Sequence, residues 1–234
     1  MKKYTKYKKD LEYSYTMGPF PTYELIENKA DIVEEVLISE DFNDTEKLIN
    51  ILNDKKIPYT ISSKQINKIS LKDKEYVIGV FKKPKSQLQE KNHIILDGID
   101  NMGNLGTIMR SMLAFGYKDL ALISNTCDVY NPKVVRASMG AFFKLNIQRF
   151  DNLQDYKKNF PENKIYSFLL DESSDELGDV KFEQPFSLAF GNEGAGLPKE
   201  YYNENKIFIN QSKDVDSLNL PIACSIAMYQ SRVI

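Results

Sequence analysis

Along residues 92–234, short unbroken apolar runs alternate with stretches whose apolar positions recur every three or four residues. The runs HIILDGI, DLALIS, KIYSFLL, FSLAFG and KIFIN are too short for core helices and read as buried strands. The stretches 104–115, 132–143, 198–205 and 220–233 read as helices. In the first of these, Leu105, Ile108, Met109, Met112 and Phe115 fall within an arc of about 120°, a core-facing stripe. In the last, Ile222, Ile226, Tyr229 and Val233 stand at helical spacing and suit either the core or a subunit interface. Earlier in the chain, VEEVLISED (33–41), the helical pattern DTEKLINILNDKK (44–56), IPYTIS (57–62) and YVIGVF (76–81) repeat the alternation on a smaller scale. Between the two rhythms lies KKPKSQLQEK (82–91), polar and broken by Pro84. The pattern predicts a small α/β domain over 1–85, a linker over 86–91 and a larger domain over 92–234. Strands interleaved with helices predict a mostly parallel sheet covered on both faces.

Composition narrows the chemistry more than it changes this picture. No apolar run approaches the roughly 18 residues that span a bilayer, and the lysine-rich start MKKYTKYKKD is followed by no apolar signal core, so a cytoplasmic protein without membrane contact is expected. Cys127 and Cys224 are too few for a disulfide framework or a cysteine zinc site and read as buried thiols in a reducing compartment. His93 is the single histidine, which excludes multi-histidine metal chemistry, and no metal site is expected. A Ser-His-Asp triad stays formally open, but His93 opens a strand and no G-x-S-x-G elbow exists. The work therefore falls to Arg, Lys, Glu, Asn, Ser and backbone amides.

The net charge of −2 carries no overall nucleic-acid signature, but its distribution is uneven. Residues 1–91 hold 17 lysines against 15 acidic residues, and the rest of the chain is net acidic. Five lysines fall in the first nine residues with Tyr4 and Tyr7 interleaved, and four more lie in 82–91. Basic residues mixed with aromatics suit RNA phosphates and bases, and they equally suit a solvated, frayed terminus.

Three loops that follow strands are unusual, and in parallel sheets ligands gather outside the carboxyl ends of the strands. In AFGNEGAGLP (189–198), Gly191, Gly194 and Gly196 free the backbone to turn and to lie close to a ligand. A phosphate-cradling P-loop would need Lys and Ser or Thr where Leu197 and Pro198 stand, and G-x-x-G-x-G reverses the dinucleotide spacing. Glu193 would repel a phosphate. DGIDNMGNLGTIMR (97–110) runs glycines into a helix from which Arg110 projects outside the apolar arc. Arg110 either reaches back over bare Gly106 toward the glycine loop or pairs with a surface carboxylate. In KDVDSLNLP (213–221), Ser217 or Asn219 can cap the final helix, with Pro221 in its first turn.

NLGTIMRSMLAFG, LAFGNEGAGL and VDSLNLPIACSIAMY, in that order, resemble the three signature motifs of the SpoU, or TrmH-like, RNA 2′-O-ribose methyltransferases of the SPOUT superfamily. RASMGAFFKLNI (136–147) resembles the family's connecting segment, and the first 85 or so residues look like its small ribosomal-protein-like substrate-binding domain. The resemblance implies a C-terminal parallel sheet with a deep trefoil knot, an exception to the unknotted rule. It implies S-adenosyl-L-methionine as methyl donor, RNA as substrate, ribosomal before transfer RNA, and a homodimer formed through the knotted domain. Asn104, Arg110, Glu193, Ser217 and Asn219 match the family's catalytic motif positions. Gly191, Gly194, Ile209 and Leu218 match its cofactor-contacting positions.

Arg110 is the family's proposed base, yet a guanidinium stays protonated at any accessible pH and cannot accept a proton in the ordinary sense. Its better role is a bidentate grip on the phosphate beside the target ribose. Asn104 would orient Arg110 or the ribose, while Glu193, Ser217 and Asn219 would hold loops and substrate. Asn210 stands where the family commonly has proline, which would loosen that loop. A Rossmann oxidoreductase competes on the α/β alternation but requires a G-x-G-x-x-G that GIDNMGNLG lacks. A transfer-RNA methyltransferase, a drug-resistance methylase acting on ribosomal RNA and a noncatalytic RNA-binding protein are the other readings.

Overall fold

The computed structural model describes residues 3–89 and 91–232. The chain divides into two compact units, Met1–Pro84 with Asp128–Lys144, and Lys85–Cys127 with Leu145–Ile234.

The first unit contains β1 (Tyr13–Tyr15), α1 (Pro19–Asn28), β2 (Val33–Ile38), α2 (Thr45–Asp54), β3 (Tyr59–Ile61), α3 (Ser63–Ile69) and β4 (Val77–Lys82). Its sheet runs β1-β4-β2-β3, with β2 and β3 parallel and β4 antiparallel to both of its neighbours. The pleat divides β2 between two cores: Val36 and Ile38 pack with Leu48 and Leu52, and Leu37 packs with Tyr15, Ile66 and Ile69. Tyr4 and Tyr7 anchor the first described residues. Tyr4 is buried edge-on against Tyr13 and Tyr15, and the Tyr7 hydroxyl donates to Asp128. Lys3, Lys6, Lys8 and Lys9 between them are exposed.

Residues 128–144, grouped with the larger domain by the sequence pattern, pack in this unit. The helix expected over 132–143 stops as α5 (Pro132–Ala137), because Met139 and Gly140 adopt φ of 48° and 85°, and a 3-10 turn follows over Ala141–Lys144. Gly140 lies against α1, where a Cβ would stand 2.5 Å from Glu24 Cγ. Beyond it Phe142 and Phe143 pack on Phe81, and Lys144 pairs with Glu24 at 2.7 Å. Burying each phenylalanine contributes roughly 1.5–3 kcal/mol.

The second unit contains β5 (His93–Asp97), α4 (Met102–Ala114), β6 (Asp119–Ile123), β7 (Asn146–Phe150), α6 (Leu153–Asn159), β8 (Lys164–Phe168), β9 (Asp175–Glu176), β10 (Phe186–Phe190), β11 (Asn205–Phe208) and α7 (Leu220–Gln230). The sheet order is β7-β6-β5-β10-β8-β11-β9, parallel at every pairing. Ile95, Ala121, Ile123 and Ala189 pack with Phe150, Tyr156 and Tyr201 in one core. The apolar stripe of α4 is buried at Leu105, Ile108, Met109 and Met112. The stretch 198–205 forms a 3-10 turn over Lys199–Asn203.

The expected linker is pinned along this unit. Ser86 exchanges hydrogen bonds with Ile147, the Leu88 amide donates to Gln148, the Gln89 amide donates to Asp119, and the Leu88 side chain is buried. On α7, Ile222, Ile226 and Tyr229 are 51, 38 and 54% exposed, which removes them from the core of this chain. Val233 lies outside the described residues. Among those described, no helix is long and apolar enough to cross a membrane.

Candidate active site

The carboxyl end of the second unit's sheet gathers the three loops. After β5 the chain turns through Gly98, at φ 70°, and the Asn101 side chain caps α4 by accepting from the Gly103 and Asn104 amides at 2.9 and 3.1 Å. This cap fixes Asn104 in the first turn, from which its Nδ2 donates to Glu193 Oε1 at 2.5 Å. After β10 the glycine loop closes on itself, the Gly196 amide donating to the Asn192 carbonyl at 2.8 Å. Asn192 Oδ1 accepts from the Gly194 and Ala195 amides, while its Nδ2 crosses to the Gly98 carbonyl at 3.0 Å. Glu193 is thereby held at the crest of the loop, facing α4.

The third loop arrives at the same atom. Asn219 occupies the N-cap position of α7, with Pro221 in the first turn as expected, but its side chain makes no cap bond. Instead Asn219 Nδ2 donates to Glu193 Oε1 at 3.4 Å. A capping bond contributes about 0.5–2 kcal/mol to a helix, so α7 forgoes that stabilisation for a contact in the site. Asn104, Glu193 and Asn219, from three loops far apart in the chain, thus converge on one carboxylate oxygen. Asn104, expected to orient Arg110 or the ribose, makes its side-chain hydrogen bond to Glu193. Arg110 is exposed, and among the described residues it has no hydrogen-bond or ion-pair partner. The surface ion pair that was its alternative reading is absent there.

Beside Glu193 opens a cavity of about 290 Å³. Gly191, Gly194, Ile209 and Leu218 all line it, as do Glu193 and Ser217, whereas Asn104, Arg110 and Asn219 do not. Its lining contains no lysine or arginine, and Glu193 is its one carboxylate among the described residues. Gly191 has a steric reason of its own: a Cβ there would lie 2.2 Å from Gly196 C and 2.4 Å from Leu197 N, so the chain itself fills the space that glycine leaves. Gly194 is under no such demand, since a Cβ would meet only Asn192 Oδ1 at 3.5 Å. At the position where the family commonly has proline, Asn210 Nδ2 donates to Glu176 Oε1 at 3.1 Å.

Two supporting residues escaped the sequence reading. Asn192 ties the first loop to the second; its position between glycine and a polar crest was the available signal, since Asn favours turns that bond their own backbone. Tyr201, fully buried, donates to Asp97 Oδ2 at 2.9 Å and anchors the chain leaving the glycine loop to the end of β5. Burial and the neighbouring Asp97 charge raise its pKa far above the ordinary phenol value. His93 is fully buried, with Nε2 2.6 Å from the Gln89 carbonyl and Nδ1 2.6 Å from the Tyr156 hydroxyl. Burial lowers its pKa, and both nitrogens are engaged, so it serves no triad. Cys224 is buried and its thiol pKa is raised by desolvation, while Cys127 is half-buried.

The profile of the SpoU rRNA Methylase family matches residues 91–229, more than half of the chain and all three loops. The chain belongs to that family. Among its SpoU relatives is a Synechocystis protein named as an uncharacterized tRNA/rRNA methyltransferase, 30% identical over 142 residues, which are 59% of this chain and 52% of that one. Another is the 23S rRNA (guanosine(2553)-2′-O)-methyltransferase of Bacillus subtilis, 26% identical over 68% of this chain and 65% of its own length. The chain thus spans about half to two thirds of these curated relatives. A crystal structure of an AdoMet-bound rRNA methyltransferase from Sinorhizobium meliloti superposes with a TM-score of 0.80 at 25% identity, over 94% of this chain and 86% of that one.

Proposed function

We propose that this SpoU-family chain is an S-adenosyl-L-methionine-dependent RNA 2′-O-ribose methyltransferase acting on ribosomal RNA. The observation that carries the reading is the meeting of Asn104, Glu193 and Asn219 beside a cavity walled by glycine backbone and apolar side chains. The lining fits S-adenosylmethionine: Leu197, Ile209 and Leu218 suit the adenine, and a wall without lysine or arginine leaves a sulfonium cation unrepelled. The same lining is unsuited to the phosphates of a dinucleotide. When bound, S-adenosylmethionine supplies the methyl group.

The chain's own residues then have separate tasks. Arg110, exposed and unpaired among the described residues, is free to clamp the phosphate beside the target ribose. Asn104 and Asn219 hold Glu193, and Ser217, exposed on the cavity wall, is free to bind substrate. The reaction's demand on the enzyme is alignment of hydroxyl and methyl, exclusion of water and a destination for one proton. We further read the C-terminal chain as threaded into the family's trefoil knot, the exposed α7 stripe as a homodimer contact, the lysine-bearing first unit as an RNA-binding element and the cytoplasm as the compartment. Ribosomal RNA is the favoured substrate because the Bacillus relative is named for it.

Calorimetry in EDTA is expected to show S-adenosylmethionine binding without NAD binding. Ribose-methylation mapping of RNA from cells with and without the gene is expected to reveal one ribosomal 2′-O-methyl group that disappears. NAD binding with no response to S-adenosylmethionine would overturn the reading, and a lost transfer-RNA mark would correct the substrate.

A further inference from the structure

Resting on that reading, we propose that Glu193 takes the proton released by the ribose 2′-hydroxyl. Both amide donors that hold Glu193 end on Oε1, so Oε2 has no partner among the described residues, and the side chain is exposed beside the cavity. Two fixed donors on one oxygen orient the carboxyl plane and leave the second oxygen's lone pairs available. That is the arrangement a positioned acceptor needs.

The alternatives near the three loops are otherwise engaged or chemically unsuited. Arg110 has no lone pair to offer at accessible pH. Asp97 is buried and bonded to Tyr201, and Asp214 accepts from Ser212. Ser217, Asn192 and Gln211, which also line the cavity, are neutral and weakly basic. Asp100 and Asp216 are exposed but do not line it.

The step balances. The 2′-oxygen bonds to the methyl carbon as the carbon–sulfur bond breaks with its electron pair to sulfur, and the hydroxyl proton passes to Glu193 Oε2. One positive and one negative charge are consumed together, a change favoured where water is excluded. The neutral carboxylic acid returns its proton to water when product leaves. Asn104 and Asn219 are positioning residues in this scheme, since they act only through Glu193.

Glu193→Gln tests it, because the amide oxygen still accepts from Asn104 and Asn219 while the group can no longer take a proton. Single-turnover methyl transfer is expected to fall by at least about a hundredfold, the usual scale of a lost general base. Glu193→Asp, which keeps a carboxylate on a shorter arm, is expected to recover part of that loss. Binding of S-adenosylmethionine and of uncharged S-adenosylhomocysteine, both measured by calorimetry, should each stay within about threefold. Transfer by Glu193→Gln within about tenfold of the unchanged chain would overturn the proposal. So would a selective loss of S-adenosylmethionine affinity, because Glu193 would then act as the sulfonium's counter-ion. An unchanged chain that transfers no methyl group to any RNA would sink the functional reading itself, and this proposal with it.

Discussion

Arg110 projects from α4 into solvent without a carboxylate partner among the described residues, so its removal leaves packing intact and reads chemistry alone. It also lies outside the cavity lining. Arg110→Ala is therefore expected to keep S-adenosylmethionine affinity within a few fold while methyl transfer falls at least about a hundredfold, roughly 2.7 kcal/mol of transition-state stabilisation. Lysine should restore little, because a point charge cannot reproduce a two-pronged grip on phosphate. Near-normal turnover of the alanine variant would show that the clamp lies elsewhere. His93 makes the opposite kind of prediction, one about stability. Burial holds it neutral in the folded chain, with its pKa below the ordinary value near 6.5. Its contribution is complete above that pH; below it, the unfolded chain takes up a proton that the folded chain refuses, and stability falls. Urea unfolding at about pH 7 and about pH 5.5 should show this drop, and His93→Gln should lessen it, since no other side chain ordinarily titrates between those values. An equal drop in both proteins would assign the effect to other groups.

At the scale of single elements, the glycine loop separates a covalent demand from a ligand's demand. Gly191→Ala drives a methyl group into backbone atoms of Gly196 and Leu197, which cannot yield as a side-chain tip would. It should destabilise the chain by on the order of 1–3 kcal/mol and weaken S-adenosylmethionine binding, as thermal unfolding and calorimetry would report. Gly194→Ala meets only an ordinary contact and should stay within about 0.5 kcal/mol of the unchanged chain. Equal effects of the two would mean that the loop is not closed as described. The interior strands β5, β6 and β10 of the larger sheet were legible as apolar runs because every residue in them is buried, and β8 and β11 because their centres are. Its edges were not. β7, in NIQRF, and β9, inside the acidic stretch DESSDELGD, lie at the two ends of the strand order, where exposure permits polar residues and no hydrophobic run survives. Six of the nine expected site residues line the cavity and Asn104 and Asn219 reach it through Glu193, while Arg110 stands apart, and none of these contacts was legible in the sequence. Asn192 and Gly98 are 94 positions apart, and only the adjacency of β5 and β10 brings them together.

For the molecule as a whole, the exposed α7 stripe sets a test of assembly. Phe115 packs edge-on against Tyr229, extending the patch onto α4. Three exposed apolar side chains on one helix face carry a desolvation gain that only a partner can collect. Sedimentation is expected to report a dimer, and Ile226→Glu a monomer, with a monomeric unchanged chain at micromolar concentration counting against the contact. The first unit, finally, is built from two pieces of chain, Met1–Pro84 and the excursion Asp128–Lys144. Heredity tends to move domains as contiguous cassettes. A recombination event that exchanged only the first 84 codons would leave Phe142 and Phe143 facing a foreign surface and Lys144 without Glu24. The two pieces of the first unit are therefore bound to evolve together, and that unit is more easily altered by point changes than by exchange of modules.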